Sequence, residues 1–254
     1  MEQQRTRVYF ASDIHLGSDF FEDTRSVEKR FVRWLDSIKQ DAKSLYLLGD
    51  IFDYWFEYKY VIPKGFSRFQ GKIAELTDAG IEVHFFTGNH DVWFFDYFPE
   101  ELGVHVHSKE LVVELSGKKL FLAHGDGLGD NSFSFRMIRS AFHSKVCQKL
   151  YSCIHPRWST AFAYSWSRHS REQGLEMQTS EYKGEDNEPL VLYAKEHLKE
   201  HPEIDFFVFG HRHIMLDLML TKKSRMLILG DWLQFFSYAV LNEQGEMELA
   251  TFEE

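Results

Sequence analysis

The chain of 254 residues carries 44% hydrophobic and 27% charged residues, enough to bury a core unaided, which excludes a disordered chain. Its two cysteines, Cys147 and Cys153, exclude a disulfide framework and an all-cysteine zinc site. A formal net charge of −10 speaks against a general nucleic-acid binder, because phosphate backbones attract lysine and arginine.

Apolar runs such as residues 206–209 are short, so no segment is expected to cross a bilayer. The start, MEQQRTRVYF, has no apolar h-region, which predicts no secretory signal and a cytoplasmic chain. Residues 7–11 and 44–48 read as strands, and between them Val27, Phe31, Leu35 and Ile38 recur at helical spacing. Phe66, Phe69, Ile73 and Leu76 form a second helical stripe with Gly80 as its stop, and residues 81–86 read as a third strand. This alternation predicts an α/β fold. Helices are then expected to stop until residue 131. Residues 110–115 and 119–123 read as a hairpin joined across Ser116-Gly117-Lys118. Residues 131–183 read as mostly helical. Pro189 opens a helix with Leu190, Ala194 and Leu198 inward, and residues 206–209, 214–220, 226–229, 237–241 and 247–251 read as strands. The expected whole is one domain over residues 1–254. It has two sheets with helices outside and a helical insertion at about residues 131–187.

Five clusters share one arrangement, an apolar strand followed at once by a turn bearing metal-type ligands. They are Asp13-Ile14-His15, Gly49-Asp50 with Asp53, Gly88-Asn89-His90-Asp91, His124-Gly125-Asp126 and Gly210-His211-Arg212-His213. In an α/β sheet, ligands gather where strands end, so the five can converge on one site. Mixed Asp, Asn and His donors suit hard or borderline divalent metals. Each cluster alone is weak, since a strand-end Asp is usually a turn former or a cap. Their joint occurrence at the ends of five apolar strands points to one metal site.

The order D-x-H, G-D-x-x-D, G-N-H-D, H-G-D, G-H-x-H resembles the motif set of the calcineurin-like metallophosphoesterases, and all five elements are present between residues 13 and 213. The resemblance implies an αββα sandwich of two sheets with a two-metal centre at the strand ends. It implies Asp13, His15 and His213 as ligands of one metal, Asn89, His124 and His211 as ligands of the other, and Asp50 as the bridging carboxylate. The expected cofactor is two divalent metal ions, Mn2+ first, with Fe2+ or Zn2+ as alternatives. His90 is implied as a catalytic group beside the substrate rather than a ligand. Asp91 is expected to orient His90, with a turn cap as the alternative. Asp53 reads equally as a support for the ligands or a cap. Asp126 is expected to face the substrate, and Asn89 and His211 are expected to contact it as well as metal.

The segment from Asn131 to Arg171 holds seven of the 29 basic residues and no acidic one, which leaves 22 basic against 39 acidic elsewhere. Phe133, Phe135, Phe142, Tyr151, Trp158, Phe162, Tyr164 and Trp166 lie in the same stretch. A basic, aromatic, helical segment in an acidic chain suits an anionic amphiphile or a membrane surface. A helical pair with its aromatics packed inward and its charges solvated is the other reading. At this level the chain resembles the UDP-2,3-diacylglucosamine pyrophosphatase branch of the family. Ala11 to Gly17, Leu48 to Trp55 and His124 to Leu128 carry that likeness, together with the insertion after H-G-D. The branch implies hydrolysis of an acylated UDP-sugar to UMP and a diacylglucosamine 1-phosphate of lipid A biosynthesis. It implies attachment to the cytoplasmic face of the inner membrane, with no nucleic acid and no obligate protein partner. Ser167 and Arg171 are the expected polar contacts of the insertion, and Phe135, Phe142 and Trp166 its apolar wall. The chain departs from well-known branch members at His90, where they carry arginine; histidine can also give up a proton. A phosphodiesterase of soluble nucleotides, or a non-enzymatic scaffold on the same fold, are the readings set against this one.

Overall fold

The computed structural model describes residues 5–18, 23, 25–129, 137, 140–142, 144–172 and 181–253, with backbone alone over 166–172. Eleven strands form two mixed sheets. The first sheet has the order β11-β10-β1-β2-β3-β4. Its parallel strands are β1 (Arg7–Ala11), β2 (Ala42–Leu47), β3 (Glu82–Phe86) and β4 (His105–His107). The strands β10 (Ser237–Leu241) and β11 (Met247–Thr251) run antiparallel at its other edge. The second sheet has the order β5-β6-β7-β9-β8. Here β6 (Lys118–Ala123), β7 (Phe206–Phe209) and β9 (Arg225–Leu229) are parallel, flanked by β5 (Leu111–Leu115) and β8 (Met215–Met219).

Alternation along each strand sends one set of side chains between the sheets and the other beneath helices. Val8, Phe10, Tyr46, Leu48 and Phe86 meet Leu120, Leu122, Val208, Leu227 and Leu229 in the inter-sheet core. Tyr9, Ala11, Leu45 and Leu47 face outward under α1 (Arg25–Ile38) and α2 (Ser67–Asp78). The helical stripe of α1 buries Phe31 and Trp34, whose rings meet Trp232 at 4.6 and 5.0 Å between centroids. On the far side α6 (Pro189–Glu200) covers the second sheet through Leu190, Val191 and Ala194. The result is the expected αββα order of layers.

One expectation fails. After β3 the helices do not stop: α3 (Tyr97–Leu102) follows and leads into the short edge strand β4. The first N–H groups of α3 have no local side-chain cap. Instead the buried carboxylate of Glu57 accepts from Phe95, Asp96 and Tyr97 at 2.8, 2.9 and 3.2 Å. Six residues containing Pro99, capped from 40 positions away, leave no local helical signal.

Within the insertion, α4 (Lys145–Ser152) and α5 (Pro156–Glu172) are helical, as read. They rest on the loops after β2 and β3. The Tyr54 and Tyr151 hydroxyls lie 3.1 Å apart, Phe56 and Trp93 meet the Tyr151 ring at 4.8 and 4.9 Å, and Tyr58 bonds Ser159.

Candidate metal centre

The parallel strands end on one side of the molecule, and each delivers its cluster there. Asp13 and His15 follow β1, Asp50 follows β2, and Asn89 and His90 follow β3. His124 follows β6, and His211 and His213 follow β7. The first two loops stay zipped past their strands: Asp13 N–H donates to Gly49 O at 3.1 Å and His15 N–H to Asp50 O at 3.0 Å. Asp13, His15, Asp50, His211 and His213 all hold positive φ, at 55°, 47°, 50°, 66° and 49°. Such conformations cost about 1–3 kcal/mol each for residues with a Cβ and persist where the surroundings impose them. Two glycines permit the crowding. A Cβ on Gly88 would strike the Asp50 carboxylate, and one on Gly210 would strike Ser12 and Asp13.

The side chains form two groups, Asp13 with His15 and His213, and Asp50 with His124 and His211, each with its ligand atoms within 4.8 Å of one another. Asp50 Oδ2 lies between them, 3.8 Å from His15 Nε2 and 3.3 Å from His124 Nε2. Asn89 Oδ1 approaches His124 Nε2 at 3.2 Å. All seven residues singled out as ligands are therefore together. A third, overlapping group joins His15 to Asp53 and His90.

The donor set fits cations. Asp13 Oδ1 and both ring nitrogens of His15 are buried without a hydrogen-bond partner, a costly arrangement that a cation bound by Asp13 Oδ1 and one imidazole nitrogen would relieve in part. Electrostatics points the same way. Burial alone would raise Asp13, yet His213 and His15 outweigh it and hold its carboxyl at about 2. Asp50, equally buried, is held well below the usual carboxylate range by His124 and His90. Burial opposes charge on His124, but Asp50 and Asp13 push it up to about 10. The same carboxylates, with Asp53, raise His15 well above its ordinary value against burial. His211 goes the other way, to about 4, through burial and the neighbouring charge of His124. Buried carboxylates that stay ionised and draw protons onto adjacent imidazoles create the field a divalent cation satisfies.

Neighbouring groups aim the ligands. His124 Nδ1 lies 2.7 Å from Leu48 O, which as a donor to that carbonyl leaves Nε2 directed at Asp50. His213 Nδ1 lies 3.1 Å from Asp231 Oδ2, while Asp231 Oδ1 accepts from the N–H groups of Leu233, Gln234 and Phe235. Sequence reasoning missed Asp231, although Gly230-Asp231 after β9 repeats the Gly49-Asp50 pattern. It also missed the buried fork of Arg212 on Glu188, at 2.6 and 3.0 Å, which ties the loop of His211 and His213 to the start of α6.

The placement of Asp91 corrects an expectation. Its two oxygens accept from the N–H groups of Asp50, Ile51, Phe52 and Gly88 at 2.7–3.2 Å, so it clamps the Asp50 turn rather than orienting His90. Burial first, then the Asp50 charge, push its carboxyl up to about 7. The carboxylate beside the His90 ring is that of Asp53, 3.9 Å from Nδ1, which also lies 3.1 Å from the Asp53 carbonyl oxygen. Asp53 Oδ1 is in turn 3.6 Å from His15 Nδ1, so it serves both rings. Asp126 lines a hollow beside His124. Of the insertion residues singled out, Phe135 and the side chains of Ser167, Arg171 and Trp166 lie outside the described residues. Phe142 is 40% exposed and meets Trp93, in the loop after β3, at 5.3 Å. Tyr164 meets the Tyr54 ring at 5.9 Å between centroids, and burial and the Asp53 charge push its hydroxyl up to about 12.

The profile of the family described as calcineurin-like phosphoesterase matches residues 6–215. A UDP-2,3-diacylglucosamine hydrolase of Porphyromonas gingivalis (strain ATCC BAA-308 / W83) is 48% identical over 246 residues, covering 93% of this chain and 94% of its own. Proteins of the same name from Shewanella sp. (strain MR-4) and Serratia proteamaculans (strain 568) are each 26% identical. They cover 94% and 88% of this chain and 95% and 90% of their own.

Proposed function

The chain belongs to the calcineurin-like phosphoesterase family, and on that footing we propose that it hydrolyses the pyrophosphate bond of UDP-2,3-diacylglucosamine, a step of lipid A biosynthesis. One water is consumed, one P–O–P bond breaks, and the products are UMP and 2,3-diacylglucosamine 1-phosphate. The observation that carries this reading is the 48% identity, over nearly the full length of both chains, to a hydrolase of that substrate.

Asp13, His15 and His213 would hold one divalent ion and Asn89, His124 and His211 a second, with Asp50 shared; Mn2+ is the proposed metal, with Fe2+ or Zn2+ as alternatives. Ions held by these residues would supply charge to neutralise the pyrophosphate oxygens and would make an attacking water more acidic. His90, half-buried beside His15 at 4.9 Å between ring centroids, would donate to a phosphoryl or leaving oxygen. Asp53 orients its ring. Burial of Asp13, His15, Asp50 and His124 keeps bulk water from weakening these charges.

The helical insertion, with α4 and α5, forms a cap that would supply a surface for the acylated half. Among the described residues no helix is long and apolar enough to cross a membrane. Yet α4 buries no side chain, and Val146, Leu150, Trp158 and Phe162 stand 63–69% exposed among Lys145, Lys149 and Arg157. Apolar side chains flanked by cations suit the anionic cytoplasmic face of an inner membrane, where a diacylated substrate resides.

Assay of the metal-loaded protein on UDP-2,3-diacylglucosamine against UDP-N-acetylglucosamine tests the reaction, with products read by mass spectrometry. UMP and the diacylated sugar phosphate are the expected products. Preferential hydrolysis of the unacylated nucleotide would overturn the assignment.

A further inference from the structure

A shallow hollow, open to solvent, adjoins the metal centre on the side of His124. His124, Gly125 and Asp126 form one wall; Thr87, at the end of β3, and Ser108, Lys109 and Glu110, between β4 and β5, form the other. No described residue of the cap helices lines it. Those helices sit instead on Tyr54, Phe56, Tyr58 and Trp93, next to Asp53 and His90. The centre thus has two approaches, one beneath the apolar cap beside His90 and one through this polar hollow beside His124.

A pyrophosphate diester bears its two organic groups on opposite ends of the P–O–P unit. Held across the centre, it sends one group to each approach. The cap side is aromatic and suits acyl chains. The hollow offers two hydroxyls, an ammonium and two carboxylates beside the apolar Phe86, Val92 and Leu128, which suit a ribose diol and a flat uracil whose imide sets an N–H donor between two carbonyl acceptors. Acyl chains would strand these groups without partners. Lys109 is exposed and makes no ion pair among the described residues, so its charge is available to a nucleotide phosphate at the rim.

We propose that this hollow receives the uridine 5′-phosphate half of the substrate, with Thr87, Ser108, Lys109 and Glu110 as the residues that select a nucleotide. This rests on the reaction proposed above and adds to it the partition of the substrate. Lys109 and Glu110 are exposed, so their replacement leaves the core intact.

The test uses the metal-loaded full chain with two probes, UMP and 2,3-diacylglucosamine 1-phosphate, each followed by calorimetry and by amide chemical shifts. UMP is expected to shift the amides of residues 87 and 108–110. Lys109→Ala and Glu110→Ala are each expected to weaken UMP about tenfold and to raise KM for the full substrate more than they lower kcat. The Kd of the lipid product is expected to stay the same. UMP shifts confined to the cap, or equal weakening of both probes, would overturn the partition even if the acylated substrate is hydrolysed. Failure of the reaction itself shows separately, as absent turnover of UDP-2,3-diacylglucosamine with UMP still bound in the hollow.

Discussion

At the scale of residues, the centre joins costly conformations to unpaired donors. Five candidate ligands with positive φ and three orphaned buried atoms on Asp13 and His15 are held by a shell of backbone bonds from Asp91, Asp231 and Leu48. That shell has different consequences for different residues. His90 holds no place in the seven-ligand set. His90→Ala is therefore expected to lower kcat by about 10²–10⁴ and to leave metal content, read by elemental analysis, unchanged. Lost metal would make it a ligand. Asp231 acts through His213, 3.1 Å away. Asp231→Ala is expected to weaken metal affinity by about 10–100-fold, measured by competition with a chelator. Unaltered affinity would leave Asp231 as a turn cap alone.

Two elements depend on groups distant in sequence. Glu57 caps α3 through three N–H bonds. Glu57→Ala should destabilise the fold by about 1–3 kcal/mol, seen in urea unfolding, and a change within error would mean that water replaces the cap without cost. The β3–β4 edge carries a stack of imidazoles. His84 lies flat on Tyr46 at 4.3 Å between centroids and bonds His107 at 3.0 Å. Burial, then His107 and His105, hold His84 down at about 4. An unfolded histidine titrates near about 6.5, so between those values the unfolded chain binds more protons than the folded one. Stability is therefore fully present above about pH 6.5 and falls as the pH drops toward 4. His84→Phe, which keeps a flat ring on Tyr46, should flatten the decline in urea midpoint between pH 7.5 and 5. Parallel declines in both proteins would remove His84 as the source.

For the molecule as a whole, the sandwich carries the candidate centre, and the proposed function assigns the lipid to the cap. An ion that binds only the folded chain stabilises it by about 4 kcal/mol at a thousandfold excess over Kd. Chelation should therefore lower Tm, and added Mn2+ should restore it; a Tm indifferent to both would argue against metal at the strand ends. Trp158→Glu with Phe162→Glu should abolish co-sedimentation with anionic vesicles and raise KM for the diacylated substrate, because each exposed ring would be replaced by a charge. Retained co-sedimentation would separate the cap from the membrane.

Much of this was legible in the sequence because it is local. Apolar strands followed directly by Asp, Asn or His declare both the strand and the ligand at its end, and helical stripes such as Val27, Phe31, Leu35 declare the covering layer. The five clusters needed no more than that, whereas the choice of seven ligands among their residues came from the resemblance to the phosphoesterases. Tertiary structure decided what depends on the path of a turn or a distant partner. Asp91 is adjacent to His90 in sequence, but its side chain turns to the backbone of residues 50–52, and Asp53 takes the place beside the imidazole. The α3 helix exists through a carboxylate forty positions earlier, and Asp231 reaches His213 only because β9 lies beside β7. A chain pattern reports which groups a strand delivers; which of them touch is set by the order and register in which the strands pair.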